Sequence, residues 1–202
     1  MRVMIIIDHP WEKSFNHAIL QALTDGLQEN HHEIDLLDLN KDGFNPLMSA
    51  EELALYGTGK YLDPKVGEYQ QRIMQADHLV FIFPIWWQVM PAALKGFLDK
   101  VLLHNWAFID AKPTPIGKLT HIQGATVITT SGVSSSYYSF VYHNALKSTF
   151  LKGTLRFCGI HNARWLNFGK VGEVSEATRS QWLQEVKTLA RRLTDIPPVL
   201  HD

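Results

Sequence analysis

Three short stretches carry residue types on which chemistry could be built. The first, His9-Pro-Trp-Glu-Lys-Ser-Phe-Asn16, is a polar loop behind an apolar run. Where such a loop enters a helix, unpaired backbone N–H groups and the helix dipole favour a phosphate. Ser14, Asn16 and His9 could add side-chain hydrogen bonds there. The plainer reading makes Ser14 only a helix cap and His9 only a turn residue. The second stretch is Pro84-Ile-Trp-Trp-Gln-Val-Met-Pro91. Adjacent tryptophans cannot both face the core of one strand or helix, so at least one ring is open to an aromatic ligand or a partner subunit, unless the pair plugs the sheet end. The third is Thr129-Thr-Ser-Gly-Val-Ser-Ser-Ser-Tyr-Tyr138, where small residues and Gly132 permit close backbone approach to a ligand or form a flexible serine-rich loop. Tyr137 and His143 follow, a phenol and an imidazole able to donate protons or stabilise charge near neutral pH.

Other chemistries lack their motifs. No Gly-x-Gly-x-x-Gly or Gly-x-x-x-x-Gly-Lys-Ser/Thr occurs, so neither a dinucleotide fingerprint nor a P-loop is supported. Ser134 to Ser136 sit in no Gly-x-Ser-x-Gly elbow, which argues against a serine hydrolase. The histidines show no metal-ligand spacing, so no metal is expected. The lone Cys158 lies in an apolar segment and reads as inert core within a strand. With 19 Lys+Arg against 20 Asp+Glu, the net charge of −1 argues against nucleic acid and against a highly acidic electron carrier. The N-terminal apolar run is too short for a signal peptide. The most apolar window, Leu79 to Leu94, is interrupted by Pro84, Gln88 and Pro91, whereas a membrane helix needs about 20 apolar residues. A cytoplasmic location without membrane insertion is the expectation.

The elements that must position these residues alternate between strand and helix. Continuous apolar runs at residues 2–7, 78–83 and 124–130 read as strands buried on both faces, with an alternating strand at 33–39 and a fifth at 154–158. Helices are expected from Ser14, over 68–76, 92–103 behind Pro91, 140–151 and 175–193. Residues 41–64 form a long excursion with a short helix near 51–56, and 111–119 a Pro/Gly-rich loop. The pattern predicts a single domain over 1–202. Its fold class is α/β, a flavodoxin-like three-layer sandwich around a five-stranded parallel sheet of order 2-1-3-4-5. Ligands in such sheets bind beyond the carboxyl ends of the strands, where the three stretches lie.

Taken together, the strand ends resemble the NAD(P)H:quinone oxidoreductase family of flavoproteins. The resemblance runs through His9-Pro10, Ser14-Phe15-Asn16, Ala76-Asp77, Pro84-Ile-Trp-Trp87, Pro91-Ala-Ala-Leu-Lys-Gly-Phe-Leu-Asp99, Ala107-Phe108, Thr129-Thr130, Gly132 and Phe157-Cys-Gly159. It implies that His9, Ser14, Phe15 and Asn16 hold the flavin phosphate and ribityl chain. Pro84, Ile85, Trp86 and Trp87 would line the isoalloxazine, with Thr129, Thr130, Ser131 and Gly132 along its other edge. Tyr137 and His143 match a charge relay in hydride transfer, Trp87 and Phe108 fall in substrate-binding positions, and Phe108 reaches toward the partner in relatives that form homodimers. The implied activity is ping-pong, two-electron reduction of a quinone-like acceptor by NAD(P)H. The alternatives are an azo- or nitro-compound reductase on the same site and an ancillary flavoprotein of a membrane transporter. The excursion at 41–64 offers nothing assignable to an adenosine, which favours FMN over FAD. Two positions depart from the family pattern: Ser131 replaces a glycine and would narrow access to the ring, and Tyr138 beside Tyr137 leaves two candidates for the relay tyrosine.

Overall fold

In a computed structural model, which describes residues 1–193, the apolar run at the N-terminus divides its side chains between two cores. Strand β1 (Arg2–Ile7) sends Val3, Ile5 and Ile7 to one face of the sheet and Met4 and Ile6 to the other. That is why the run needs no polar alternation: both faces are covered by helices. The same division holds in β3 (His78–Pro84) and β6 (Gly124–Ser131), introduced here with the intervening elements α1 (Phe15–Glu29), β2 (Glu33–Asp38), α2 (Ala50–Leu55), α3 (Pro64–Gln75), α4 (Ala92–Val101), β4 (Phe108–Ile109) and β5 (Ile116–Gly117). After β6 come α5 (Ser135–Tyr142), a π-helical segment (Lys147–Arg156), β7 (Ala163–Gly169) and α6 (Glu176–Arg191). The five long strands are all parallel in the order β2-β1-β3-β6-β7, the expected 2-1-3-4-5. One core lies under α1 and α6, the other under α3, α4 and the π-helical segment.

Two expectations are corrected. Residues 154–158 are not a strand: Phe150, Leu151, Leu155 and Cys158 are the buried positions, a spacing of one, four and three that a helix turns to one side. Cys158 is buried core as expected, its thiol pushed up to about 12 by burial, but it lies just beyond the π-helical segment and not in a strand. The fifth strand is β7, an edge strand whose half-buried Ala163-Arg-Trp-Leu-Asn-Phe-Gly169 lacks the continuous apolar signature. Nor does one helix cover 140–151. Helix α5 starts at Ser135 behind the N-cap Ser134 and stops where His143 and Asn144 both turn left-handed, at φ 49° and 52°. The serines read as loop because Ser favours caps over helix interiors, and here one of them is the cap. The Pro/Gly-rich stretch also contributes β5, which pairs with β4 in a small antiparallel hairpin. Residues 194–202, the end of the expected 1–202 domain, lie outside the described residues.

The long excursion is fastened to α4. Lys100 is 4% exposed, and its Nζ meets Glu52 at 2.8 Å, the Asn45 carbonyl at 3.0 Å and Asp63 at 3.5 Å, so the buried cation is fully partnered. Gly96 permits the close approach: a Cβ there would sit 2.2 Å from the Pro46 carbonyl oxygen and 2.4 Å from its Cβ. Because a backbone carbonyl cannot swing aside, Gly96→Ala should lower stability by about 2 kcal/mol despite alanine's better helix propensity. Thermal unfolding checks this; an unchanged or raised melting temperature would contradict it. Among the described residues no helix is long and apolar enough to cross a membrane.

Candidate functional site

The end of β1 and the first turn of α1 build one wall. Ser14 caps α1, accepting the His17 N–H, and the N–H groups of Phe15 and Asn16 have no intrahelical acceptor because they open the helix. Asn16 is 2% exposed. Its Oδ1 accepts a 2.9 Å hydrogen bond from Thr130, while its Nδ2 is buried without a partner among the described residues. A buried amide left with a free donor costs free energy unless a ligand accepts from it. His9 accepts the Trp11 N–H at Nδ1 over 3.1 Å, and burial together with His17 lowers its pKa. The ring is therefore neutral, with its remaining proton on Nε2 as a donor.

Asp8 locks this wall to the next one. Its carboxylate accepts from Asn40 Nδ2 at 2.9 Å and from the Leu94 N–H at 2.7 Å, which supplies α4 with the side-chain cap that Pro91 cannot provide. Burial raises the Asp8 pKa against these two bonds.

Between β3 and α4, Trp86 and Val89 exchange backbone hydrogen bonds of 3.0 and 3.1 Å around Trp87 and Gln88. Both central residues have positive φ, 49° and 68°, the signature of a tight type I′ turn usually made with glycine or asparagine. The turn leaves Trp87 94% exposed and Trp86 46% exposed, with the Trp86 ring edge-on to His9 at 6.2 Å. Tyr138 secures it: this fully buried tyrosine donates to the Gln88 carbonyl at 2.7 Å and accepts the Leu146 N–H at 3.2 Å. Tyr138 is thus occupied structurally, and the half-exposed Tyr137 is the tyrosine with its hydroxyl free of such a role.

At the end of β6 the paired threonines part company, as successive strand residues must. Thr130 faces Asn16, whereas Thr129 turns to β7, donating to Asn167 Oδ1 at 2.9 Å and accepting from Trp165 Nε1 at 2.8 Å. Ser131 is 4% exposed, donates to the Val133 carbonyl at 2.8 Å and accepts from Asn167 at 3.1 Å, so its hydroxyl is turned into the protein. The loop after β7 closes against it through the Val171 N–H to the Ser131 carbonyl at 3.2 Å.

These walls enclose an open cavity of about 300 Å3 at the carboxyl ends of β1, β3 and β6. His9, Ser14, Phe15, Asn16, Pro84, Ile85, Trp86, Thr130, Ser131 and Gly132 line it, as do Trp11 and Val171. Of the residues expected here, Thr129 and Trp87 do not reach it, and Tyr137 and His143 stand on the adjoining α5 and its left-handed end. Val171 follows an edge strand whose apolar signal is weak, and Trp11 is a lone loop tryptophan with no periodicity, so neither is marked as a site residue by the sequence pattern. Phe108 lines a second, apolar cavity of about 530 Å3 with Val89, Met90, Leu98, Leu102 and Phe157, its ring 4.8 Å from that of Phe157. The space around the unpartnered Asn16 amide, the helix N-terminus and the apolar Pro84–Trp86 wall fits a ligand with an anionic end and an aromatic ring, as a phosphorylated flavin has. Among the described residues no group of three or more His, Cys, Asp or Glu is placed to hold a metal ion.

Comparison with known proteins agrees with this architecture. The flavodoxin-like fold family matches residues 1–190. An NAD(P)H oxidoreductase of Haemophilus influenzae is 30% identical over 185 residues, 91% of each chain. The NAD(P)H dehydrogenase [quinone] 1 of Cavia porcellus is 28% identical, covering 98% of this chain and 79% of the relative. Among solved structures, an NAD(P)H:quinone oxidoreductase from Methanothermobacter marburgensis superposes with a TM-score of 0.88 at 29% identity, over 96% of this chain and 97% of that one. An azoreductase from Bacillus anthracis, at 18% identity and TM-score 0.76, shares the fold. With the sheet order, the strand-end cavity and similarity along nearly the whole length in agreement, the chain belongs to the flavodoxin-like fold family and stands in it among the NAD(P)H:quinone oxidoreductases.

Proposed function

We propose that the protein is a flavin-dependent NAD(P)H:quinone oxidoreductase that carries FMN in the strand-end cavity. The observation that carries the reading is the buried, unpartnered Asn16 amide beside the open first turn of α1. Bound there, the flavin would supply the two-electron chemistry that carries a hydride equivalent from NAD(P)H to a quinone. Ser14, Asn16, neutral His9 and the N–H groups of Phe15 and Asn16 hold the phosphate end. Pro84, Ile85 and Trp86 supply an apolar wall that excludes water and fixes orientation. The Ser131-Gly132 backbone lies along the opposite edge, where small residues admit a ring. Tyr137 and His143 hold protons at the phenol oxygen and the imidazole for the charge that develops during transfer. Trp87, at the tip of a backbone-strained turn, and Phe108 complete the substrate end.

The protein acts, on this reading, as a cytoplasmic homodimer. Trp87 is 94% exposed, and Val89, Phe108 and Phe157 leave an apolar hollow beside it that a second copy would cover. Sedimentation equilibrium tests that; a monomer at micromolar concentration would exclude it.

A visible spectrum of the purified protein, with heat release and chromatography of the chromophore, tests the cofactor. Steady-state rates with quinone and azo acceptors test the reaction. His143→Gln should leave flavin affinity unchanged and slow NAD(P)H-driven reduction by about tenfold in stopped flow. An unaltered reductive rate would remove His143 from the mechanism.

A further inference from the structure

We propose that His17 sets the direction of the Ser14 hydroxyl, so that binding of a flavin phosphate takes up a proton on the His17 ring. The inference rests on the flavin reading of the cavity and adds to it a residue that does not line the cavity wall.

Ser14 Oγ already has one fixed partner, the backbone N–H of His17 at 3.3 Å, and lies 3.1 Å from His17 Nδ1. The other ring nitrogen, Nε2, is shielded from solvent, makes no hydrogen bond among the described residues and points to Asp38 Oδ2 at 3.6 Å. A neutral ring has two tautomers. With the proton on Nδ1, the bare Nε2 lone pair would face a carboxylate, which is repulsive. With the proton on Nε2, Nδ1 is an acceptor, and the Ser14 hydroxyl must spend its hydrogen on the ring. Ser14 then has no proton for a ligand in the cavity it lines.

Protonation reverses this. An imidazolium donates from Nδ1 to Ser14 Oγ and directs Nε2–H at Asp38. The serine oxygen now accepts from two N–H groups, and its own hydrogen is released toward the cavity. A phosphate oxygen there accepts it, and the added negative charge favours the cationic ring in turn. Proton uptake and phosphate binding are therefore two sides of one equilibrium.

The surrounding charges support the assignment to His17. Its ring stands edge-on to His9 at 6.3 Å, and burial, the main cause, lowers the His9 pKa, so that ring adds no positive charge to oppose a proton on His17. Asp38 is the carboxylate facing Nε2. Lys41, 3.9 Å from Asp38, is engaged by Glu12 at 2.6 Å, which tempers its competition. Asp8, on the end of β1, is held by Asn40 and the Leu94 N–H.

The test compares FMN with riboflavin, which lacks the phosphate, by fluorescence titration from pH 6 to 8.5, the range in which an imidazole changes charge. The phosphate's own second ionisation strengthens binding as pH rises, so it opposes the effect sought. Above pH 7 the FMN affinity of the wild-type protein should fall by up to about tenfold per pH unit, the limit for one proton. Riboflavin affinity should stay flat, and in His17→Asn, whose amide donates to Ser14 at every pH, the fall with FMN should vanish. Calorimetry of FMN binding in buffers of different ionisation enthalpy provides a second readout on the wild-type protein alone: proton uptake with FMN and none with riboflavin. Identical pH profiles for wild type and variant, or no proton uptake, would overturn the inference while leaving the flavin site intact. Failure to bind either flavin at any pH would overturn the flavin reading itself, and the inference with it.

Discussion

Replacing Asn16 with aspartate should lower FMN affinity by at least about a hundredfold while leaving the fold in place. The side chain keeps its shape, and its oxygen still accepts from Thr130 over the 2.9 Å contact. What it loses is the Nδ2 donor that has no partner inside the protein. A hydrogen bond to a charged acceptor contributes on the order of 1.5–3 kcal/mol. A carboxylate put in its place also repels a phosphate at the same helix N-terminus. Asn16→Ala removes the donor without adding charge and should lose less, about tenfold. Fluorescence titration of apoprotein with FMN measures both, with circular dichroism to confirm folding. An affinity for Asn16→Asp within threefold of wild type would place the phosphate elsewhere.

Acid should destabilise the protein through His78, well away from the cavity. This residue opens β3, is 5% exposed, and bonds Thr126 Oγ1 through Nε2 at 2.9 Å. Burial, with Arg164 and His32 adding to it, lowers its pKa from 6.5 to about 4. Between those values the unfolded chain binds a proton that the folded chain refuses. The native state is therefore favoured fully above pH 6.5 and loses that advantage as pH falls toward 4. The gap corresponds to on the order of 3 kcal/mol, a large share of an ordinary domain's stability. Urea unfolding at pH 7, 5.5 and 4.5 should show the loss, and His78→Gln should flatten it even if its stability at pH 7 is lower. Parallel losses in wild type and variant would assign the acid sensitivity to other groups.

Much of the architecture was legible because parallel sheets covered on both faces write themselves as unbroken apolar runs. Residues 2–7, 78–83 and 124–130 are buried almost without exception, and the structure keeps them as β1, β3 and β6 within a residue. Ser14 and Ser175 stand at helix starts as capping side chains, and Pro91 at another because its fixed φ and missing N–H suit the entry to a helix. The errors cluster where local pattern and tertiary role part. Strand β7 lies at the sheet edge and carries Trp165 and Asn167 for side-chain bonding, so its apolar signal is weak. Thr154-Leu-Arg-Phe-Cys158 alternates like a strand, yet Leu155 and Cys158 pack inward on helical spacing. Missing β7 also hid Val171, which follows it into the cavity wall.

The candidate site divides in the same way. Sequence alone pointed to the ends of strands 1, 3 and 4 of the sheet as the candidate site, since chain order, alternation and right-handed crossovers leave few topologies, and the strand-end cavity lies there. It could not say which of two adjacent residues faces a ligand. Tertiary packing decided that Thr130 and not Thr129 meets Asn16, that Tyr138 is spent on the Gln88 carbonyl and leaves Tyr137 free, and that both tryptophans are displayed. It also brought His17, Ser14 and Asp38 together from a helix, its cap and a neighbouring strand. The physical reason is that hydrophobic periodicity records which side of an element is buried, while hydrogen-bond partners are chosen across elements far apart in the chain.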